Sequence, residues 1–340
     1  MAIVPIVVGP TGVGKTEICL RVAKKSGAEI ISADSRQIYR YMGIGTAKPT
    51  PEQLSRVPHH MVDYVDPDEE FNAARYGRRA SKIVSQLLAA GKLPLVVGGS
   101  GLYLRALLGA FFEGPGAHSD IRRGLVEEES REGPGTLYHR LKHVDPQAAS
   151  RIHPHDQVRT IRALEVHQFT GIPLSLWQKS GPYHRPKFRW CKLGLYRHRE
   201  DLYRRIEERV DMMMRQGLLQ EVQSLLSRGY SADLPALATV GYQEMVAYLR
   251  GRLNFEQAVS LLKQNTRQYA KRQMTWFKKD GEILWFDAQR EERQLLLTVQ
   301  RLKAGQFPDA KEAEKRKALV RQFWTQKISP SRSDDIGRKT

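Results

Sequence analysis

Gly9-Pro10-Thr11-Gly12-Val13-Gly14-Lys15-Thr16 meets the phosphate-loop pattern G-x-x-x-x-G-K-[ST] at every fixed position. An apolar run, Ile6-Val7-Val8, precedes it, and an amphipathic stretch with Ile18, Leu20, Val22 and Ala23 follows. It therefore reads as the turn between a buried parallel strand and its crossover helix, Gly14 to Lys25, with Pro5 marking the start of the strand. Glycines let consecutive backbone N–H groups face one anion, and the positive end of the helix dipole adds to that field. Lys15 is placed to reach a terminal phosphate, and the Thr16 hydroxyl to bind a divalent metal. A di- or triphosphate is the expected ligand, and the loop is silent on what becomes of it.

Outward from the loop, Glu29-Ile30-Ile31, Leu93 to Val97, Trp190 to Tyr196 and Glu282 to Phe286 read as further strands. Helical patterns cover Phe71 to Ala90, Arg199 to Arg228 and Phe255 to Phe277. The fold class is α/β. The second strand runs into Ser32-Ala33-Asp34-Ser35-Arg36-Gln37, which puts Asp34 at a carboxyl end on the side of the phosphate loop. An acid there can be a base or a metal-shell ligand, and Asp34 or Ser35 can equally cap a turn. A second glycine-rich turn, Gly98-Gly99-Ser100-Gly101-Leu102-Tyr103, follows the strand at Leu93 and has no acid at the strand end. Ordinary nucleotide hydrolysis holds its metal through such an acid, so the loop is expected to serve another reaction.

Glu113-Gly114-Pro115-Gly116 is a flexible junction into polar helical segments, Ser119 to Arg131 and Gly135 to His143. Asp156 is placed to cap a helix from Gln157 to Phe169, with Val158, Ile161, Leu164 and Val166 as its apolar stripe and Arg159 and Arg162 more exposed. His59-His60 suits a structural or substrate-wall role, and His139 with His143 a solvated face, because no further ligand stands at metal spacing. The organisation expected is a discontinuous core, 1–115 and 188–300, an inserted helical domain, 116–187, and a basic tail, 301–340.

With 55 Lys and Arg against 37 Asp and Glu, the formal charge is +18 and the pI near 9.9, the footprint of a polyanion binder. Lys263, Arg267 and Lys271 recur at i, i+4 spacing with Tyr269, Trp276 and Phe277 nearby, a stripe suited to phosphates and stacked bases or simply to water. Two cysteines, Cys19 and Cys191, allow no disulfide framework, and no apolar run approaches the roughly 18 residues of a membrane span. With no signal-peptide pattern at the N-terminus, a reducing cytoplasm is expected.

Taken together, several stretches resemble the bacterial tRNA dimethylallyltransferases, the tRNA isopentenyltransferases of the MiaA type. They are Gly9 to Thr16, Ser32 to Tyr39, Pro58-His59-His60 with Val65-Asp66-Pro67, Gly98 to Tyr103, Arg151 to Asp156, Arg162 to Val166, Val240-Gly241-Tyr242, Thr266 to Gln273 and Thr275-Trp276-Phe277. The likeness reaches about Asp280. Ser100 stands where the family more often has Thr, and the zinc-finger extension of eukaryotic relatives lacks its cysteines here.

The resemblance implies a P-loop NTPase-like parallel sheet core flanked by helices, with the inserted small helical domain recognising tRNA. It implies transfer of a dimethylallyl group from dimethylallyl diphosphate to N6 of the adenosine 3′-adjacent to the anticodon, with Mg²⁺ as cofactor and the chain acting as a monomer. Gly9, Pro10, Thr11, Gly12, Val13, Gly14, Lys15 and Thr16 would hold the diphosphate, with Thr16 on the metal. Arg209, or failing it Arg205, would meet the leaving group, and Asp34 would take the N6 proton. The tRNA contacts implied are Asp34, Ser35, Arg36, Gln37, Ser100 and Arg122, then Gln157, Val158, Arg159, Thr160 and Ile161. They continue with Ala238, Thr239, Val240, Gly241, Tyr242 and Gln243, together with Lys263, Arg267 and Lys271. An ATP-binding small-molecule or nucleotide kinase using the same loop, and a non-catalytic RNA binder that inherited it, remain open at this level.

Overall fold

Strands buried on both faces are rich in apolar side chains, and Ile3–Val8 and Ala28–Ala33 are buried at all six positions, with Glu29 of the second paired to Lys92 and His60. The structure is a computed structural model describing residues 2–109, 114–179 and 186–323. The chain divides into two units, Met1–Leu104 with Lys187–Thr340, and Arg105–Pro186.

In order, the first part comprises β1 (Ile3–Val8), α1 (Lys15–Ser26), β2 (Ala28–Ala33), α2 (Pro51–Arg56), β3 (His59–His60), α3 (Ala73–Ala89), β4 (Leu93–Gly98) and α4 (Gly101–Leu107). Then come α5 (Ser119–Glu132), α6 (Thr136–Val144), α7 (Pro146–Ala149), α8 (Gln157–Thr170) and α9 (Leu174–Lys179). The chain continues through β5 (Arg189–Tyr196), α10 (Arg199–Arg215), α11 (Leu218–Ser227), α12 (Tyr242–Leu249), α13 (Phe255–Lys278), β6 (Leu284–Asp287), α14 (Glu292–Lys303) and α15 (Ala310–Phe323).

The six strands form one parallel sheet in the order β3-β2-β4-β1-β5-β6. Its main core joins Val7, Leu95, Leu193 and Phe286 to Ile18 and Val22 of α1 and to Leu295, Val299 and Leu302 of α14. All carboxyl ends of a parallel sheet lie on one side. The turns after β1, β2, β4 and β5 therefore meet there, the side on which open α/β sheets bind ligands.

Four expectations change. Pro5 lies inside β1 instead of at its start, paired with Cys191, while the ladder to β4 begins only at Ile6. A residue without an N–H is tolerated there because β1 needs only one neighbour at that point. The single helix Arg199 to Arg228 is two helices, α10 and α11, because Gly217 adopts φ 96, a left-handed conformation that ends one helix and opens the next. The stripe of α8 is Thr160, Ala163, Leu164 and Val166, whereas Val158 is 81% exposed. Part of the expected tail packs on the core: Leu302 belongs to it, Ala313 lies against it, and Arg316 of α15 is buried over the Phe286 ring and paired with Glu291.

The unit of residues 105–186 has its own core, with Leu125, Leu137, Leu141, Ala163, Leu164 and Leu174. Asp156 caps α8 through the Arg159 N–H, as expected. Part of the Glu113–Gly116 junction and most of the stretch from Gly181 lie outside the described residues. Among the described residues, no helix is long and apolar enough to cross a membrane.

Candidate active site

The loop after β1 works through backbone that a side chain would block. A Cβ on Gly9 would come within 2.7 Å of the Leu195 carbonyl oxygen, and Gly12 and Gly14 hold φ 82 and 99. Lys15 opens α1, and its Nζ donates to the carbonyls of Gly9 and Pro10, each at 2.8 Å. Burial pulls this ammonium down to about 8; the Asp34 charge opposes the fall, and Arg209 deepens it. Cys19, one turn on, is pushed up to about 12 by burial and is inert as a nucleophile.

Three further side chains brace the loop. Arg197, after β5, donates to the Val13 carbonyl at 2.8 Å and is held by Asp201 at 2.9 Å. Arg205 of α10 donates to the Gly12 carbonyl at 3.2 Å. Gln273 of α13 accepts from the Thr11 N–H at 2.8 Å and donates to the Gly99 carbonyl at 3.0 Å, so one buried amide ties the two glycine-rich turns together. The sequence alone assigns Gln273 no role, though it is the polar member of the buried stripe Ala270, Gln273, Met274 and Phe277.

Arg209, one turn beyond Arg205, makes no hydrogen bond among the described residues. Burial lowers its basicity, the Asp34 charge opposes that fall, and Arg205 adds to it. Lys15, Arg209 and Asp34 thus lie within reach of one another's charge. Asp34 Oδ1 accepts from the N–H groups of Arg36 at 2.8 Å and Gln37 at 3.4 Å. The turn-capping role and the site role are therefore combined: one oxygen fixes the carboxylate, and Oδ2 carries no hydrogen bond among the described residues. Ser35 donates its N–H to Ser100 Oγ at 3.0 Å, and Arg36 donates to the Pro235 carbonyl at 3.0 Å. Tyr76 and Tyr103 stack with centroids 4.2 Å apart, and Phe71 meets Tyr103 edge-on. Burial raises both phenols, with Asp34's charge a smaller cause, and Tyr269 beside Ser100 is pushed up to about 12 for the same reasons in the same order. Three tyrosines thus lie within reach of this acid's charge.

Other expected contacts are spent inside the fold. Gln37 gives its amide N–H groups to the Thr46 and Ala47 carbonyls, and Tyr242 is buried with its hydroxyl on Glu221 at 2.6 Å. Gly241 donates to Glu244, while Ala238 and Gln243 are exposed and Thr239 and Val240 partly so. In the unit of residues 105–186, Arg122 and Arg162 pair with the fully buried Glu165, and Thr160 is buried. Gln157, Val158 and Arg159 are exposed, and Ile161 is half-buried. Lys263 pairs with Asp211 at 2.7 Å and Arg267 with Glu207, which fastens α13 to α10. Only Lys271 of that stripe is exposed.

That pairing changes what removal of the stripe does. Each phosphate neutralised contributes about 0.7 to 0.9 to the salt slope of RNA affinity. Changing Lys263, Arg267 and Lys271 together to Gln flattens the slope by no more than about one unit, and Lys271→Gln alone reproduces it. A fluorescence titration with tRNA at several salt concentrations checks this. A drop near three units would put all three cations on phosphates.

His60 meets Glu29 at 2.8 Å and His59 the Val57 carbonyl at 2.7 Å, both structural contacts. Among the described residues, no group of three or more His, Cys, Asp and Glu could hold a metal. A Mg²⁺ asks for less, because it keeps several waters and needs only one or two protein oxygens beside substrate phosphates.

Residues 37–280 match the profile of the family described as IPP transferase. A tRNA dimethylallyltransferase of Syntrophobacter fumaroxidans is 49% identical over 285 residues, 84% of this chain and 83% of that protein. Its counterpart in Thermotoga neapolitana is 51% identical over 282 residues, 83% of this chain and 91% of that one. Among solved structures, the full-length tRNA isopentenylpyrophosphate transferase of Bacillus halodurans is 36% identical, with TM-score 0.66, over 94% of this chain and all of that one. A eukaryotic dimethylallyltransferase acting on tRNA is 26% identical, with TM-score 0.77, over 94% of this chain and 84% of that one.

Proposed function

The chain belongs to the IPP transferase family, and from that premise we propose how it acts as a tRNA-prenylating transferase. The donor is dimethylallyl diphosphate, and the acceptor is N6 of the adenosine 3′-adjacent to the anticodon. The observation that carries this reading is the convergence of Lys15, Arg209 and Asp34 at the carboxyl ends of β1 and β2. Two cations suit a leaving diphosphate, and one carboxylate beside them suits a proton acceptor. Nothing in the site or among its relatives favours an ATP-dependent kinase.

In the reaction, the allylic C–O bond breaks as the N6–C bond forms. Negative charge grows on the diphosphate, where the loop N–H groups, Lys15 and Arg209 stabilise it. Arg205 is the weaker choice for the leaving group, because its Nε is already bonded to Gly12. The Thr16 hydroxyl and the donor's own phosphate oxygens would hold a Mg²⁺, which when bound supplies further positive charge to the diphosphate. Asp34 Oδ2 takes the N6 proton. Tyr76 and Tyr103 form an apolar wall that keeps water from the allylic carbon. A stacked base cannot reach such a pocket, so the adenosine is flipped out of the loop. The unit of residues 105–186 serves as the tRNA-recognition domain through Gln157, Val158 and Arg159, and Ala238 and Gln243 lie beside the flipped base. One chain carries every group named, so a monomer suffices.

The direct test is transfer of label from radiolabelled dimethylallyl diphosphate to unmodified tRNA in the presence of Mg²⁺. Label that stays in the donor would overturn the assignment, as would phosphorylation of a small molecule from ATP.

The Lys15 value gives a pH dependence. The ammonium is charged below about 8 and neutral above it, so affinity for inorganic diphosphate falls as pH rises through 8, by up to about tenfold per unit. Cys19 and Tyr269 stay neutral there, both near 12. Calorimetric titration between pH 7 and 9.5 measures this against Lys15→Met, which keeps only the pH dependence of the ligand's own ionisation. A wild-type profile that runs parallel to that of Lys15→Met would show that Lys15 does not contact the diphosphate.

A further inference from the structure

We infer that the open cleft beside Tyr41 is a subsite for a single-stranded nucleotide of the RNA substrate, one that flanks the modified adenosine; this rests on tRNA being the substrate. Tyr41 is a large aromatic residue with φ 64, a left-handed conformation that costs backbone energy in any L-residue with a Cβ. Its side chain is not spent on the core, for the residue is 46% exposed. The Arg228 guanidinium carbon lies 4.5 Å from the ring centroid, and the Tyr230 ring lies tilted at 6.4 Å. A strained backbone thus holds an aromatic ring and an arginine at the surface, the pairing on which unstacked bases settle.

The surroundings of the ring fit the same ligand. The cleft measures 680 Å³, within the range of small-ligand sites. Arg215, Gln216, Gln220 and Arg228, all exposed, line it along the end of α10 and the start and end of α11. Guanidinium groups suit phosphates, and side-chain amides suit base edges. The one acid in the lining is Glu221, and its charge is already committed. It accepts from the N–H groups of Gly43 and Ile44 at 2.8 Å and of Gly45 at 3.1 Å, and from the Tyr242 hydroxyl at 2.6 Å. Asp66 and Asp68 are felt at Tyr230 but line no part of the cleft. The cleft therefore offers two arginines to an anion.

Position links the cleft to the reacting centre. Tyr41 is four residues beyond Gln37, so their Cα atoms are at most about 14 Å apart. Ile44, also in the lining, belongs to the loop whose Thr46 and Ala47 carbonyls hold the Gln37 amide, and Gln37 donates its backbone N–H to Asp34. A base docked on Tyr41 and one placed at Asp34 can belong to neighbouring nucleotides of one loop.

Tyr41→Gly tests this cleanly, because glycine adopts φ 64 without strain and removes only the ring. Thermal unfolding of the variant at or above the wild-type temperature establishes that it folds. The ligand is an anticodon stem-loop RNA with 2-aminopurine substituted in turn at the positions on either side of the target adenosine. Wild type should quench the fluorescence at one of these positions on binding. Tyr41→Gly should lose that quench and bind five- to a hundredfold more weakly, whereas Tyr41→Trp should retain both properties. Affinity for inorganic diphosphate stays within twofold. Unchanged affinity and quench in Tyr41→Gly would overturn the subsite, as would weaker binding with the quench intact. If wild type bound no stem-loop at all, the assignment of tRNA as substrate would fall instead.

Discussion

Lys15→Ala lowers turnover about a hundredfold or more and leaves tRNA affinity within about twofold. One preorganised contact to charge that develops in the transition state contributes roughly 3 to 4 kcal/mol, and the diphosphate gains its charge as the C–O bond breaks. The ammonium is held by the Gly9 and Pro10 carbonyls and feels the charges of Asp34 and Arg209. Arginine cannot stand in, since its planar fork does not reproduce a compact point charge. Single-turnover transfer of label, with tRNA binding measured separately, distinguishes the two quantities. Equal losses in both would mean that the loop touches RNA.

Asp34→Asn is nearly as damaging as Asp34→Ala, with a loss of about a hundred- to ten-thousandfold in turnover and little change in donor affinity. Asparagine keeps the size of the side chain and the acceptor that serves the Arg36 and Gln37 N–H groups. It therefore preserves the turn. What it lacks is an oxygen able to take a proton. The pair of variants separates the two roles of this residue: Asp34→Ala loses the cap and the base, Asp34→Asn the base alone. Near-normal turnover in Asp34→Asn would make Asp34 a capping residue only, and the proton acceptor would have to be another group.

Much of this protein is legible in its sequence. The phosphate loop is legible because its chemistry is backbone chemistry: glycines, a lysine and a threonine at fixed spacing between an apolar run and a helix carry their meaning locally. The strands at residues 28–33, 93–98 and 189–196 are legible for a similar reason, since burial on both faces leaves short apolar runs at their centres or ends, Ile30-Ile31, Leu95-Val96-Val97 and Leu193 to Tyr196. The cap at Asp156 and the suspicion attached to Asp34 follow from position along the chain.

What the tertiary structure alone decided concerns partners. Periodicity marked Lys263 and Arg267 as a basic stripe, yet their counter-charges, Asp211 and Glu207, lie some fifty to sixty residues earlier on another helix. The break at Gly217 was hidden because apolar spacing continues through it, and one glycine within a helical pattern costs only about 1 kcal/mol, too little to announce a break. Gln273 bridges Thr11 and Gly99, and Glu221 gathers Gly43, Ile44, Gly45 and Tyr242, links that span up to 262 residues. Local chemistry determines what a residue is able to do, and it is written in the order of the residues. Which group it does it with depends on strand order and helix packing, whose free energy is shared among many buried contacts and so leaves no mark at any one position.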